Sequence, residues 1–258
     1  MVEKAFDFHD LDWRYLTFEV EPANLANAVL GLRALGFRGA HCFDPHKEAI
    51  IPLLDRITDT AAIIGVVNLI FREDAAWVGE NTEGKGVIES LRETIDLAGK
   101  RVVLLGAGRV ARAIAVELAT AGIAELTVLD RTEETARNLT ELLSTKFNIP
   151  FSAVDWREEF EIPQETDLLI HATSLGHRTA PAPLALNPAG LRPELLVAEV
   201  AVGLPQTWLM SEATQRGCKT IDGLSIFIHQ VALGFRLWTG IDPDRQVLRE
   251  AIEEYWEL

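Results

Sequence analysis

Apolar and polar positions along the chain change rhythm repeatedly, and each rhythm predicts an element. Trp13 to Val20 alternates, with Leu16, Phe18 and Val20 on one face, which predicts a β-strand. Leu25, Val29, Leu32 and Leu35 recur at helical spacing, and Gly36 closes that helix as a C-cap. Gly39 to Phe43 predicts a short buried strand, and Pro45 stands where a helix begins. Val66 to Phe71 and Ala75 to Val78 predict two short strands joined by a polar turn at Arg72-Glu73-Asp74. A helix pattern then runs from about Asn81-Thr82 to Leu97. Beyond it lie an apolar strand at Arg101–Leu105, a glycine turn, a helix over Val110–Ala121 and a strand at Glu125–Asp130. Thr132 is placed to N-cap the next helix. Asp167–Ala172 and Leu195–Val202 predict further buried strands, and the proline-studded stretch from Thr179 to Pro193 predicts a loop. Leu224–Trp238 and Arg245–Glu257 close the chain as helices. Strands alternating with helices point to the α/β class with parallel sheet.

Composition narrows the function classes. A length of 258 residues suits one large domain or two modest ones, and 48% apolar residues sustain a core. The formal charge of −15 argues against nucleic acid or an anionic membrane as partner. Two cysteines, Cys42 and Cys218, give neither a disulfide framework nor a thiolate zinc site. No apolar run approaches the ~18 residues that span a bilayer, and the acidic start lacks a signal-peptide core, so a cytoplasmic protein is expected. The histidines show no metal-ligand spacing, and no metal is expected.

The strongest local chemistry is Gly106-Ala107-Gly108-Arg109-Val110-Ala111, directly after a strand and opening a helix. Gly106 permits the tight turn, Gly108 lets backbone approach a pyrophosphate, and Ala111 allows close helix–strand packing. Arg109 and Val110 start the helix, whose free N–H groups and positive dipole end favour phosphate. Asp130 ends the next strand about 20 residues on, where a ribose-binding carboxylate belongs. Its charge opposes a 2′-phosphate and favours NAD, while the neighbouring Arg131 is able to pair with one and keeps NADP open.

Several segments together resemble the shikimate dehydrogenase family over nearly the whole chain. They are Pro45-His46-Lys47, Gly65-Val66-Val67-Asn68, Gly79-Glu80-Asn81-Thr82-Glu83, Ala172-Thr173-Ser174-Leu175-Gly176, and Asp222-Gly223-Leu224 with Gln230 and Leu237-Trp238-Thr239-Gly240. The resemblance implies two domains: a Rossmann-type NAD(P)-binding domain (83–222) inserted in an α/β substrate domain formed by both chain ends (1–82 and 223–258). It implies hydride transfer between a nicotinamide and a ring carbon of shikimate, quinate or a related cyclic acid. Lys47 and Glu83 take the proton-handling positions, and Asn68, Asn81 and Gln230 the substrate-binding ones. Thr173 and Gly223 join the cofactor residues. A lysine in a partly dry cleft is able to donate a proton or steady a developing alkoxide. His46 reads as a residue that holds its turn.

Departures from the family pattern bear on the substrate. Glu83 replaces an aspartate and carries one methylene more. His41-Cys42-Phe43 replaces Asn-Val-Thr, Val202 stands at the usual tyrosine, and His171 at an asparagine. The family's first strand and its Ser-x-Ser loop have no counterpart. Either an upstream segment, fused or separate, completes the substrate domain, or the remaining strands close the gap, with or without a partner subunit in a homodimer. Phe6, Phe8 and Leu11 are the apolar residues expected to pack there. Two other functions follow from these losses: a family member with a different substrate, and a catalytically silent nucleotide-binding or regulatory protein.

Overall fold

A computed structural model describes residues 1–173, 183–202 and 207–256. In chain order the elements are α1 (Val2–Phe8), α2 (Leu25–Ala34), β1 (Gly39–His41), α3 (His46–Ala49), β2 (Arg56–Ile57), α4 (Asp59–Ile64), β3 (Leu69–Glu73), β4 (Ala76–Glu80) and α5 (Thr82–Arg92). There follow β5 (Arg101–Leu105), α6 (Arg109–Thr120), β6 (Glu125–Asp130), α7 (Glu133–Ser144), β7 (Phe151–Asp155), β8 (Leu168–His171), β9 (Leu196–Glu199), α8 (Trp208–Gln215) and β10 (Lys219–Ile221). The long helices α9 (Gly223–Thr239) and α10 (Arg245–Trp256) end the chain. Contacts divide it into two compact units, Met1–Gly86 with Ile228–Leu258, and Val87–Phe227. No described helix is long and apolar enough to cross a membrane.

The first unit holds a mixed four-stranded sheet in the order β1-β3-β4-β2. β3 and β4 form the antiparallel hairpin that their spacing predicts, turning at Asp74. Leu25, Val29, Ile50, Ala61, Val67, Ile70 and Trp77 build its core. The C-terminal half of α9 belongs here: Trp238 Nε1 donates to the Ile70 carbonyl at 2.9 Å, and Phe235, fully buried, stacks on Phe6. Phe6 is therefore core, while Phe8 is exposed.

The second unit holds six parallel strands in the order β10-β9-β8-β5-β6-β7. β5, β8 and β9 are buried along almost their whole length, which explains their unbroken apolar runs. Chain order reverses between β5 and β8, the topological switch point at which such sheets bind ligands beyond their strand ends.

Two expectations fail for physical reasons. Trp13–Val20 forms no strand. Alternation supplies a face, but a ladder also needs a neighbour, and none pairs with this segment among the described residues. It is held at its ends instead: the Tyr15 hydroxyl bonds His41 Nδ1 at 2.7 Å, and His46 Nε2 donates to the Val20 carbonyl at 2.8 Å. Between it and β1, the edge strand of the sheet, lies a cavity of about 520 Å³, so the remaining strands do not close up. Leu16 and Phe18 are consequently exposed. The helix expected to reach Leu97 stops at Arg92: Thr94 N and Ile95 N both turn back on the Leu91 carbonyl, and Asp96 Oδ1 accepts from Ala98 N at 3.1 Å in the turn that follows. Thr132 occupies the N-cap of α7 without a side-chain cap bond.

Candidate active site

In the first unit, Lys47 Nζ lies 2.5 Å from Glu83 Oε1, with the two side chains only 14% and 12% exposed. Each is held by its backbone. The Lys47 carbonyl accepts from Val67 N at 2.9 Å, tying α3 to the segment before β3. Glu83 stands in the first turn of α5, where the helix dipole favours a carboxylate. Asn81 Oδ1 accepts from Glu83 N at 3.0 Å and caps that helix, while Asn81 Nδ2 donates to the Val66 carbonyl. Asn68 grips the same turn: its Oδ1 accepts from Thr82 N at 2.7 Å and its Nδ2 donates to Thr82 Oγ1 at 3.0 Å. Both amides are buried and use these polar atoms to place Glu83.

The other carboxylate oxygen of Glu83, Oε2, is buried and has no hydrogen-bond partner among the described residues. A buried acceptor left unpaired costs about 1–3 kcal/mol, and a hydroxyl donor would recover it. Gln230, on α9, makes no side-chain hydrogen bond among the described residues. Its backbone presses against Gly86, where a Cβ would come within 2.9 Å of the Gln230 Cα.

The sequence reading missed a second ion pair. Lys85 Nζ meets Glu80 Oε2 at 2.5 Å, and Glu80 Oε1 accepts from Thr58 Oγ1 at 2.8 Å and from Asn81 N at 2.8 Å. It locks the start of α5 to the end of β4, and only the pairing of β2 with β4 brings Thr58 to it. Near β1, burial lowers the pKa of His41 to about 4 and raises that of Cys42 to about 11, so a neutral ring and a protonated thiol stand there. Phe43 is exposed.

In the second unit, Gly106 adopts φ 110°, a conformation that suits glycine, and a Cβ there would strike the Ala172 carbonyl and the Thr173 side chain. Gly108 is the N-cap of α6, and the space where a Cβ would stand is open. The turn thus offers a glycine cradle and the first N–H groups of α6, beginning at Arg109 and Val110, and it fits a pyrophosphate. Asp130 Oδ2 accepts from Ala107 N at 3.0 Å and Oδ1 from Thr132 N at 2.9 Å, which fixes the carboxylate beside the turn. Arg109 and Arg131 are exposed. Gly223 starts α9 against the Ala201 carbonyl, with no room for a side chain. Val202 is 39% exposed. Thr173 lies two residues beyond β8, and the motif residues Ser174, Leu175 and Gly176 lie outside the described residues. Among the described residues no group of three or more His, Cys, Asp or Glu side chains is placed to hold a metal ion.

Comparison with known proteins gives a consistent result. The family pattern described as shikimate dehydrogenase substrate binding domain matches residues 1–70, shikimate / quinate 5-dehydrogenase matches 89–180, and shikimate 5′-dehydrogenase C-terminal domain matches 223–253. The shikimate dehydrogenase (NADP(+)) of Moorella thermoacetica is 42% identical over 93% of this chain and 82% of its own length. The ligand-free 5-ketofructose reductase of Gluconobacter sp. strain CHM43 superposes with a TM-score of 0.95 at 38% identity, covering 98% of this chain and 92% of that one. The shikimate 5-dehydrogenase of Listeria monocytogenes, in complex with shikimate and NAD, gives a TM-score of 0.89 at 28% identity over 97% and 89%.

Proposed function

The chain belongs to the shikimate dehydrogenase family of NAD(P)-dependent dehydrogenases, and we propose that it interconverts a ketone and a secondary alcohol on shikimate, quinate or a related cyclic acid. The observation that carries this reading is the Lys47–Glu83 pair with Glu83 Oε2 buried and unpaired beside it. Residues 1–82 and 223–258 take the substrate role, and 83–222 the cofactor role.

A bound nicotinamide supplies or accepts the hydride. During reduction, Lys47 Nζ gives a proton to the carbonyl oxygen as alkoxide charge develops, and during oxidation it takes that proton back. Glu83 Oε1 holds the ammonium, and Oε2 accepts a hydrogen bond from a neighbouring substrate hydroxyl. Gln230 offers a donor and an acceptor to further hydroxyls. Asn68 and Asn81 act on the substrate through the turn that they hold. Gly106, Gly108, Arg109 and Val110 receive the pyrophosphate, and Asp130 the adenosine ribose. Its charge opposes a 2′-phosphate, so NAD is the cofactor assigned, with NADP admitted through Arg131. Two unpaired thiols fit a reducing, cytoplasmic setting.

A second substrate, a neutral polyhydroxylated ketone, is favoured by the likeness to the 5-ketofructose reductase and by an apolar ring at Phe43. Nicotinamide absorbance with 3-dehydroshikimate and with 5-ketofructose, using NADH and NADPH on wild type and Lys47→Ala, separates the readings. Lysine-dependent turnover of the cyclic acid establishes the first substrate. Turnover of the ketofructose alone establishes the second. Equal turnover in Lys47→Ala overturns the mechanism.

A further inference from the structure

At the strand ends of the second unit lies a buried acid–base pair that the mechanism does not use. His171, at the end of β8, and Glu199, at the end of β9, are register partners, and both are almost fully buried, at 1% and 2% exposure. His171 Nδ1 and Glu199 Oε2 are 2.9 Å apart, and His171 Nε2 is 2.6 Å from Thr173 Oγ1. Glu199 also accepts from Thr207 Oγ1 at 3.0 Å and, through Oε1, from Ala201 N at 3.2 Å. Thr207 in turn caps α8, accepting from Met210 N.

Directionality orders this network. Ala201 N and Thr207 Oγ1 donate to the Glu199 carboxylate, and His171 Nδ1–H makes a third donor. Through Nε2 the same ring bonds the Thr173 hydroxyl, which ties that hydroxyl to the buried pair. Two contacts lead outward from the pair. Thr173 packs against Gly106 of the pyrophosphate turn, and Ala201, held by Glu199, packs its carbonyl against Gly223.

The location follows from topology. With the pyrophosphate at the β5–α6 turn and the adenosine ribose at Asp130 on β6, the other half of a dinucleotide extends across the switch point, toward β8 and β9. We infer that His171 and Glu199 are positioning residues for the nicotinamide half of the cofactor, acting through the Thr173 hydroxyl and the Ala201–Gly223 contact. Burying such a pair is costly unless every group is bonded, and here the bonds converge on the two residues that edge the site. The inference rests on the dinucleotide reading of this unit.

The test compares NADH with ADP-ribose, which lacks the nicotinamide. Both are titrated calorimetrically into wild type, Thr173→Val and Glu199→Gln. Thr173→Val removes one hydroxyl at constant shape and keeps the experiment informative if Glu199→Gln fails to fold. NADH affinity is expected to fall about tenfold in Thr173→Val and in folded Glu199→Gln, with ADP-ribose affinity within twofold of wild type. Equal weakening of both ligands, or no change in either, overturns the positioning role and leaves a purely structural pair. Wild type that binds neither ligand overturns the dinucleotide reading itself, and the inference with it.

Discussion

Lys47 Nζ and Glu83 Oε1 meet at 2.5 Å across 36 residues of sequence, Lys47 on the short helix α3 and Glu83 in the first turn of α5, each tied down independently through its backbone. The contact is set by the β3–β4 hairpin and the two buried asparagines, so side-chain length matters. Glu83→Asp withdraws the carboxylate by one methylene, more than 1 Å, and turnover should fall about 100-fold. Lys47→Ala should lower it at least as far. NADH affinity, measured by fluorescence titration, should stay within twofold in both variants, and parallel loss of affinity would refute a proton-handling role.

Asp130 presents fixed charge beside the pyrophosphate turn. Asp130→Asn removes that charge, and the ratio of kcat/KM for NADH to that for NADPH should fall at least tenfold. Steady-state kinetics with both cofactors decides it. An unchanged ratio would mean that Arg131 or a residue elsewhere sets the preference.

Gly86 is where α5 and α9 touch without a side chain between them. A Cβ would lie 2.8–2.9 Å from the Gln230 Cβ, Cα and N. Gly86→Ala gains up to ~1 kcal/mol of helix propensity, but overpacking against backbone costs about 1–3 kcal/mol. The urea midpoint should drop, and KM should rise more than kcat falls as Gln230 is displaced. A midpoint equal to or above wild type would show that the helices separate freely.

His41 carries a pH dependence with a definite sign. Burial depresses its pKa from 6.5 to about 4, so between those values the unfolded chain binds more protons than the folded one. The stability contribution is fully present above about pH 6.5 and is lost as pH falls toward 4. The melting temperature should therefore fall more steeply from pH 7 to pH 4.5 in wild type than in His41→Gln. Parallel slopes would assign the acid sensitivity to carboxylates instead.

The second unit was largely legible because its signals are local. A glycine turn after an apolar strand, with an acid ending the next strand, specifies β5, α6 and β6 without reference to anything distant. The first unit was less so. Trp13–Val20 has the alternation of a strand, but whether an extended segment pairs depends on what lies beside it. Lys47 and Glu83 were found through motif resemblance. The Glu199 partner of His171 and the Thr58 partner of Glu80 were not, since a strand pairing, invisible in the sequence, brings each together, and the Glu80–Lys85 contact depends on how β4 turns into α5. Asn68 and Asn81 were found through the same motif resemblance as substrate-binding amides, and their grip on the start of α5 appears only in the folded chain.

The open edge of β1 has a practical bearing on the protein as a material. Hydrogen-bonding groups along the edge of β1 that faces away from β3, next to exposed Leu16, Phe18 and Phe43, form an adhesive seam that recognises any other extended chain. Concentrating the protein brings such seams together, so turbidity that rises with concentration and yields to Leu16→Lys would locate the colloidal weakness there, far in sequence from the chemistry at Glu83.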